Sequence, residues 1–220
     1  MKGKDIASLI EHTLLKPTAT YKDIRRLCEE ALEASFFSVC VNPFFIRMAK
    51  EILGDSDVKV TTVIGFPLGM DLTESKVFEA MKAAVYGADE IDIVMNIGAL
   101  KSSDWETVRR DISDTIVYTK QIAHKAIIET GYLTDDEKRK AVEIALEAGS
   151  EFIKTSTGFG PQGARVEDIR LIKSIVNGKA GIKAAGGIRT ARQVFEMLEA
   201  GATRIGTSAG AEIMKEIKDS

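Results

Sequence analysis

Polar and apolar positions along the chain follow two alternating periods. Short runs rich in β-branched residues recur at regular intervals, separated by longer segments with apolar residues at helical spacing. The runs HTLL (12–15), SVCV (38–41), VTTVIGF (60–66), EIDIVMNI (90–97), KAIIET (125–130), FIKTST (152–157), GIKAAG (181–186) and RIGTSA (204–209) predict eight strands. Helix starts carry capping-box spacings at Ser103/Glu106, Thr134/Glu137 and Thr190/Gln193. Helix stops fall at Gly54, Gly87, Gly149, Gly178 and Gly201, where a left-handed residue can close the last turn. Eight strands alternating with helices, with no linker between them, predict an α/β fold: a single (β/α)8 TIM barrel over residues 1–220, preceded by a short N-terminal helix.

Four segments are variants of one helix-end, turn and strand-start pattern: ALEASFFSVC, AVYGADEID, ALEAGSEFIK and MLEAGATRIG. They feed strands 2, 4, 6 and 8. Aligned on Ser35, Gly87, Gly149 and Gly201, they make Cys40, Asp92, Lys154 and Gly206 equivalent. Alternate strands fill one interior layer of such a barrel, so these four positions are expected to share a level. The neighbours Ile91, Ile93, Ile153 and Ile205 suit the outer surface beneath the helices, which turns Asp92 and Lys154 inward. By the same parity Ile182 faces out and Lys183 faces in.

Two interior lysines beside one aspartate are more than a structural ion pair requires, because the pair leaves one cation over in a low-dielectric interior. At about 6 Å and an effective dielectric near 20, a second ammonium disfavours its neighbour's charge by roughly 3 kcal/mol. A lysine relieved of its proton attacks carbonyls and forms a Schiff base, whose protonated imine accepts electrons from a breaking C–C bond. Lys154 is the expected nucleophile, Lys183 the residue that tunes it, and Asp92 the group that moves protons. A metal enolate mechanism needs a His/carboxylate cluster, and His12 and His124 are not spaced to make one; no metal or cofactor is expected.

Composition narrows the partners. The net charge of −3 comes from scattered acids and bases, with no basic face for nucleic acid. The beginning MKGKDIASLIEHTLL lacks a signal-peptide core, and no run approaches the length of a membrane span, so a cytoplasmic location is expected. Cys28 and Cys40 show neither CxxC nor metal-ligand spacing. A small anionic solute is the expected partner, because STGFG, AAGGIRT and GTSAG follow strands 6, 7 and 8 and each turns into a helix. Backbone N–H groups of Gly158, Gly186, Gly187 and Gly206, with the hydroxyls of Thr157, Thr207 and Ser208, can cradle a phosphate there.

The motifs EHTLLKP, SVCVNP, VIGFPLG, EIDIVMNIG, KTSTGF, GIKAAGGIRT and RIGTSAG resemble those of the deoxyribose-phosphate aldolases in order and spacing, over residues 9–210. That resemblance implies reversible cleavage of 2-deoxyribose 5-phosphate to acetaldehyde and glyceraldehyde 3-phosphate, with Lys154 as the Schiff-base lysine, Lys183 its partner and Asp92 the proton carrier. It also implies a homodimer or homotetramer, and a pocket lined by Cys40. Three departures stand out. Glu11 occupies the place of an aspartate that contacts the substrate hydroxyl, with Thr13 nearby to compensate. Phe159 replaces a lysine found in some members, leaving phosphate to backbone amides, Ser208 and Arg189. The segment KEIKDS lacks the C-terminal tyrosine that assists proton transfer in some members. The competing readings are another Schiff-base aldolase or a transaldolase acting on a related phosphosugar, and a noncatalytic phosphosugar-binding barrel.

Overall fold

The computed structural model describes residues 6–218. Eight parallel strands close into a barrel in sequence order. They are β1 (Ile10–Leu14), β2 (Ser38–Val41), β3 (Lys59–Ile64), β4 (Glu90–Val94), β5 (Ala123–Ile127), β6 (Phe152–Lys154), β7 (Gly181–Ala185) and β8 (Arg204–Thr207). The surrounding helices are α1 (Tyr21–Ala34), α2 (Ile46–Leu53), α3 (Thr73–Val85), α4 (Ile97–Lys101), α5 (Trp105–Val117), α6 (Asp135–Glu147), α7 (Val166–Val176), α8 (Ala191–Ala200) and α9 (Gly210–Lys218). The expected N-terminal helix falls largely outside the described residues, with Ile6 and Ala7 its helical end.

All eight expected strands form, but several stop short of the apolar run that announced them. FIKTST pairs only through Lys154, because Thr157 turns the chain into the following loop, and EIDIVMNI ends at Val94 before α4 begins. The Thr134/Glu137 and Thr190/Gln193 capping boxes are present. The Ser103/Glu106 box is not. Ser103 adopts a left-handed backbone (φ 58°) in the turn after α4, and the neighbouring Asp104 caps α5 by accepting from Thr107 N at 3.1 Å. A further box, Thr20 with Asp23, opens α1.

The fourfold pattern is a structural repeat as well as a sequence one. Ser35, Gly87, Gly149 and Gly201 all take positive φ. The next residue donates back into the helix in every case: Phe36 to Ala31, Ala88 to Ala83, Ser150 to Ala145 and Ala202 to Met197, at 2.9–3.0 Å. This is the six-to-one bond of a Schellman turn. The residue after that donates to the preceding strand: Phe37 to Ile10, Asp89 to Val60, Glu151 to His124 and Thr203 to Ile182. Each even strand therefore enters the sheet at the same height. The outward residues Ile91, Ile93, Ile153, Ile182 and Ile205 join the main apolar core between sheet and helices, leaving most of the barrel interior to polar side chains.

Candidate active site

Strand register resolves the interior into layers. Cys40, Asp92, Lys154 and Gly206 lie opposite Thr61, Lys125, Lys183 and Glu11 respectively. Those four odd-strand residues are paired on their other sides with Glu90, Phe152, Arg204 and Ser38. The stack thus runs from Ser38, Glu90, Phe152 and Arg204 at the closed end, through Glu11, Thr61, Lys125 and Lys183, to Cys40, Asp92, Lys154 and Gly206 beneath the mouth. Gly206 completes the upper layer by having no side chain: a Cβ there would lie 3.0 Å from Lys183 Cε, in the path of the lysine.

Asp92 is the hub. Its Oδ2 accepts from Lys154 Nζ at 2.8 Å and Lys183 Nζ at 2.6 Å, and Oδ1 lies 3.0 Å from Lys125 Nζ. Two ammonium groups on one oxygen stand within about 5 Å of each other, close enough for strong mutual repulsion in a dry interior. Lys183 is also bound by Glu11 at 2.5 Å. Below, Lys125 contacts Glu90 at 2.5 Å and Glu11 at 3.6 Å, and Arg204 contacts Glu11 at 3.5 Å and Glu90 at 3.6 Å. The Arg204 guanidinium also lies 3.3 Å from the centre of the Phe37 ring. The linked network holds four cations, Lys125, Lys154, Lys183 and Arg204, against three carboxylates, Glu11, Glu90 and Asp92.

Burial would raise the Asp92 carboxyl, but Lys125, Lys154 and Lys183 overcome it and hold it well below the usual carboxylate range. Glu11 is lowered in the same way, against its burial, by Lys125 and Lys183. Burial would depress the Lys183 ammonium; Asp92 and Glu11 reverse that and raise it. Lys183 is thereby a fixed positive charge. Lys154 differs from Lys125 and Lys183 in having a single carboxylate partner.

Above these residues opens a cleft of about 290 Å³, with Lys154 and Lys183 among its lining residues. Its walls come from Thr13 on β1, the end of β8 and the loops after β6, β7 and β8, bringing together Thr157, Gly158, Gly186, Gly187, Arg189, Gly206, Thr207 and Ser208. Glu11, Asp92 and Cys40 are not on its surface. Glu11 is fully buried in the layer below, where its carboxylate serves Lys183, Lys125 and Arg204. Cys40 packs with Leu15 and Val63, and burial pushes its thiol up to about 11.

The hydroxyls expected to meet phosphate are partly spoken for. Thr157 Oγ1 donates to Glu129 Oε2 and accepts from Phe159 N at 3.0 Å. Thr207 Oγ1 donates to Ile188 O at 2.7 Å and accepts from Ala209 N at 2.9 Å. Both threonines close the same local turn. Among the described residues, the N–H groups of Gly158, Gly187, Ile188 and Ser208 have no protein acceptor, and Ser208 and Arg189 are exposed at the mouth. Phe159 forms the wall toward a neighbouring apolar cleft of about 350 Å³, standing edge-on to Phe66 with ring centres 5.3 Å apart.

The two histidines face away from the barrel interior. His12 Nε2 pairs with Glu30 on α1 at 2.7 Å, and His124 contacts Thr119 and Glu151. Sequence reasoning passed over Lys125, Glu90 and Arg204, although stepping two residues back from Asp92 and Gly206 reaches Glu90 and Arg204 by parity. Glu129 gave no such signal, since it lies past the end of β5 with a left-handed backbone.

Comparisons with known proteins bear on the family and the fold. The family model described as DeoC/LacD family aldolase matches residues 5–216. A deoxyribose-phosphate aldolase of Thermococcus gammatolerans is 56% identical over 219 residues, covering 98% of this chain and 97% of its own. A structure titled as QR15, an aldolase, superposes with a TM-score of 0.94 at 44% identity, covering 98% of this chain and 96% of that one. A deoxyribose phosphate aldolase from Aeropyrum pernix, described as having a unique tetrameric structure, superposes at 0.91 with 33% identity, covering 99% and 92%. With a family match over almost its whole length and a lysine-centred barrel site, the chain belongs to the DeoC/LacD family of aldolases.

Proposed function

We propose that the protein cleaves 2-deoxyribose 5-phosphate reversibly to acetaldehyde and glyceraldehyde 3-phosphate through a Schiff base on Lys154. The observation that carries this reading is the position of Lys154: it lines the cleft, it has one carboxylate partner, and the Lys183 ammonium shares that partner. Lys154 has the fewest anchors to give up.

The Lys154 amine adds to the C1 aldehyde of the open-chain sugar, and loss of water leaves the protonated imine. A base takes the C3 hydroxyl proton, the C2–C3 bond breaks, and its electron pair moves into an enamine as glyceraldehyde 3-phosphate departs. Protonation at C2 and hydrolysis of the imine then release acetaldehyde. When Lys154 becomes an imine it loosens its hold on Asp92, whose Oδ2 is then free to exchange protons through a water, with Lys183 keeping the carboxylate in place. The phosphate is received by the free amides of Gly158, Gly187 and Ser208 and by Arg189. The stripe of exposed apolar residues Phe78, Met81 and Val85 on α3 supports self-association as a homodimer or homotetramer, which sedimentation would read directly.

Borohydride reduction in the presence of acetaldehyde tests the core of the proposal. Peptide mass mapping is expected to place an ethyl group on Lys154 alone. No adduct there would end the Schiff-base reading. Adducts with longer ketoses and none with acetaldehyde would point to a different aldolase substrate.

A further inference from the structure

Six acidic side chains are buried among the described residues: Glu11, Glu90, Asp92, Asp111, Glu129 and Asp168. Five of them meet a lysine or arginine, with Asp111 on Lys76 at 2.5 Å and Asp168 on Lys138 at 2.7 Å outside the barrel interior. Glu129 is the exception; it is 3% exposed and has no ion pair. Its backbone is left-handed (φ 48°, ψ 65°), which costs a residue with a Cβ. One oxygen, Oε1, has no hydrogen-bond donor within the protein. Gly160 lies directly over the carboxylate, where a Cβ would come within 2.9 Å of that oxygen. Three destabilising features at one residue mark a position kept for something other than stability.

Its other oxygen shows what that is. Glu129 Oε2 accepts from Thr157 N at 3.1 Å and from the Thr157 hydroxyl. Thr157 in turn accepts from Phe159 N, so one carboxylate sets both ends of the turn that presents the Gly158 amide. The equivalent turn after β8 is closed by Thr207 in the same way, but that hydroxyl donates to a neutral carbonyl, Ile188 O. We infer that Glu129 is a positioning residue for the β6–α7 turn: it clamps Thr157 so that the Gly158 amide is left free and aimed at the substrate phosphate.

This inference rests on the reading of the three loops as the phosphate end. Burial raises the Glu129 carboxyl above its usual range, partly offset by the two Thr157 hydrogen bonds and by the charge of Lys154; Lys101 and Tyr132 line the adjacent cleft. A carboxyl raised by folding favours the folded state at low pH and loses that contribution as pH rises through its folded value. Ionised Glu129 therefore costs stability at neutral pH. A neutral replacement is expected to leave the fold as stable or more so while weakening function, a combination that a merely structural residue would not give.

The test compares Glu129→Gln and Thr157→Val with the wild type on 2-deoxyribose 5-phosphate and on unphosphorylated 2-deoxyribose. Both variants are expected to raise KM for the phosphorylated substrate by about five- to tenfold, the size of one ordinary hydrogen bond. kcat/KM for deoxyribose should fall far less than kcat/KM for the phosphorylated sugar, the acetaldehyde adduct on Lys154 should still form, and the Tm of Glu129→Gln should be equal to or above that of the wild type. The double variant should be no worse than either single one, because both break one clamp. A wild-type protein that does not prefer the phosphorylated sugar would overturn the phosphate reading itself. A wild-type preference retained in Glu129→Gln, or a fall in Tm with proportional loss on both substrates, would overturn the role of Glu129 alone.

Discussion

Lys125 and Lys154 are both lysines on neighbouring strands of one barrel, turned toward its interior and held by the same aspartate, yet their surroundings assign them opposite work. Lys125 touches Glu90, Asp92 and Glu11 and is fully buried. Burial would strip its proton, but Asp92 and Glu11 outweigh that and raise its pKa above the ordinary lysine value. Lys154 touches Asp92 alone and lines the cleft. A nucleophile is distinguished from a structural cation here by the number of carboxylates that hold it and by access to substrate, two quantities on which residue type and strand parity are silent.

The comparison breaks first at Lys154. Lys154→Ala is expected to abolish both turnover and the borohydride-trapped adduct, measured by aldol cleavage and peptide mapping, while folding normally, since one excess positive charge leaves the interior. Lys183→Met should be next. It removes the fixed charge beside Lys154 and the group that holds Asp92, and single-turnover imine formation at neutral pH is expected to slow by about 10²-fold or more.

Lys125→Met sharpens the contrast from the other side. It deprives Glu90, Asp92 and Glu11 of a shared cation, and denaturant unfolding is expected to show a loss of about 3–5 kcal/mol. The adduct at Lys154 should still form. Adding Glu90→Gln should restore part of the stability by removing the carboxylate most dependent on Lys125. A Lys125→Met protein as stable as the wild type would show that the lower layers do not rely on it.

Acid separates carboxylates whose shifts have opposite sign. Asp92 and Glu11 are lowered by their lysines, so the stability they supply is complete above their unfolded values and fades only as pH falls through the lower folded ones. Glu129 is raised, and its protonation as pH falls relieves a cost. Asp92→Asn should flatten the acid limb of the stability curve, and Glu129→Gln should act on its neutral side, both followed by thermal melts across pH. The smallest effect concerns Cys40. With its thiol pushed up to about 11 by burial, it should alkylate at pH 8 far more slowly than a free cysteine, and at the ordinary rate once the chain is unfolded.

Much of the site is legible in the sequence. Helix stops, strand parity and the fourfold repeat put Asp92 and Lys154 on one level because a Schellman turn and a sheet entry have the same geometry wherever that local sequence recurs. Parity likewise turned Lys183 inward. The Ser103 cap was misplaced by one residue because Asp104 competes for the same helix end, and capping is decided by which backbone the preceding turn allows.

The sequence by itself determined what depends on short-range chemistry: eight strands, closed order, which residues face in, and the glycine-rich loops that end three of the strands. Only the tertiary structure decided which anions meet which cations. Glu11 pairs with Lys183 and Lys125 of its own layer and with Arg204 below rather than reaching up to the cleft, Thr157 gives its hydroxyl to Glu129, and Lys154 is left with one partner. Those pairings join residues far apart in the chain across an interior where charges interact strongly. Their strength is set by distance and burial, which exist only once the barrel has closed.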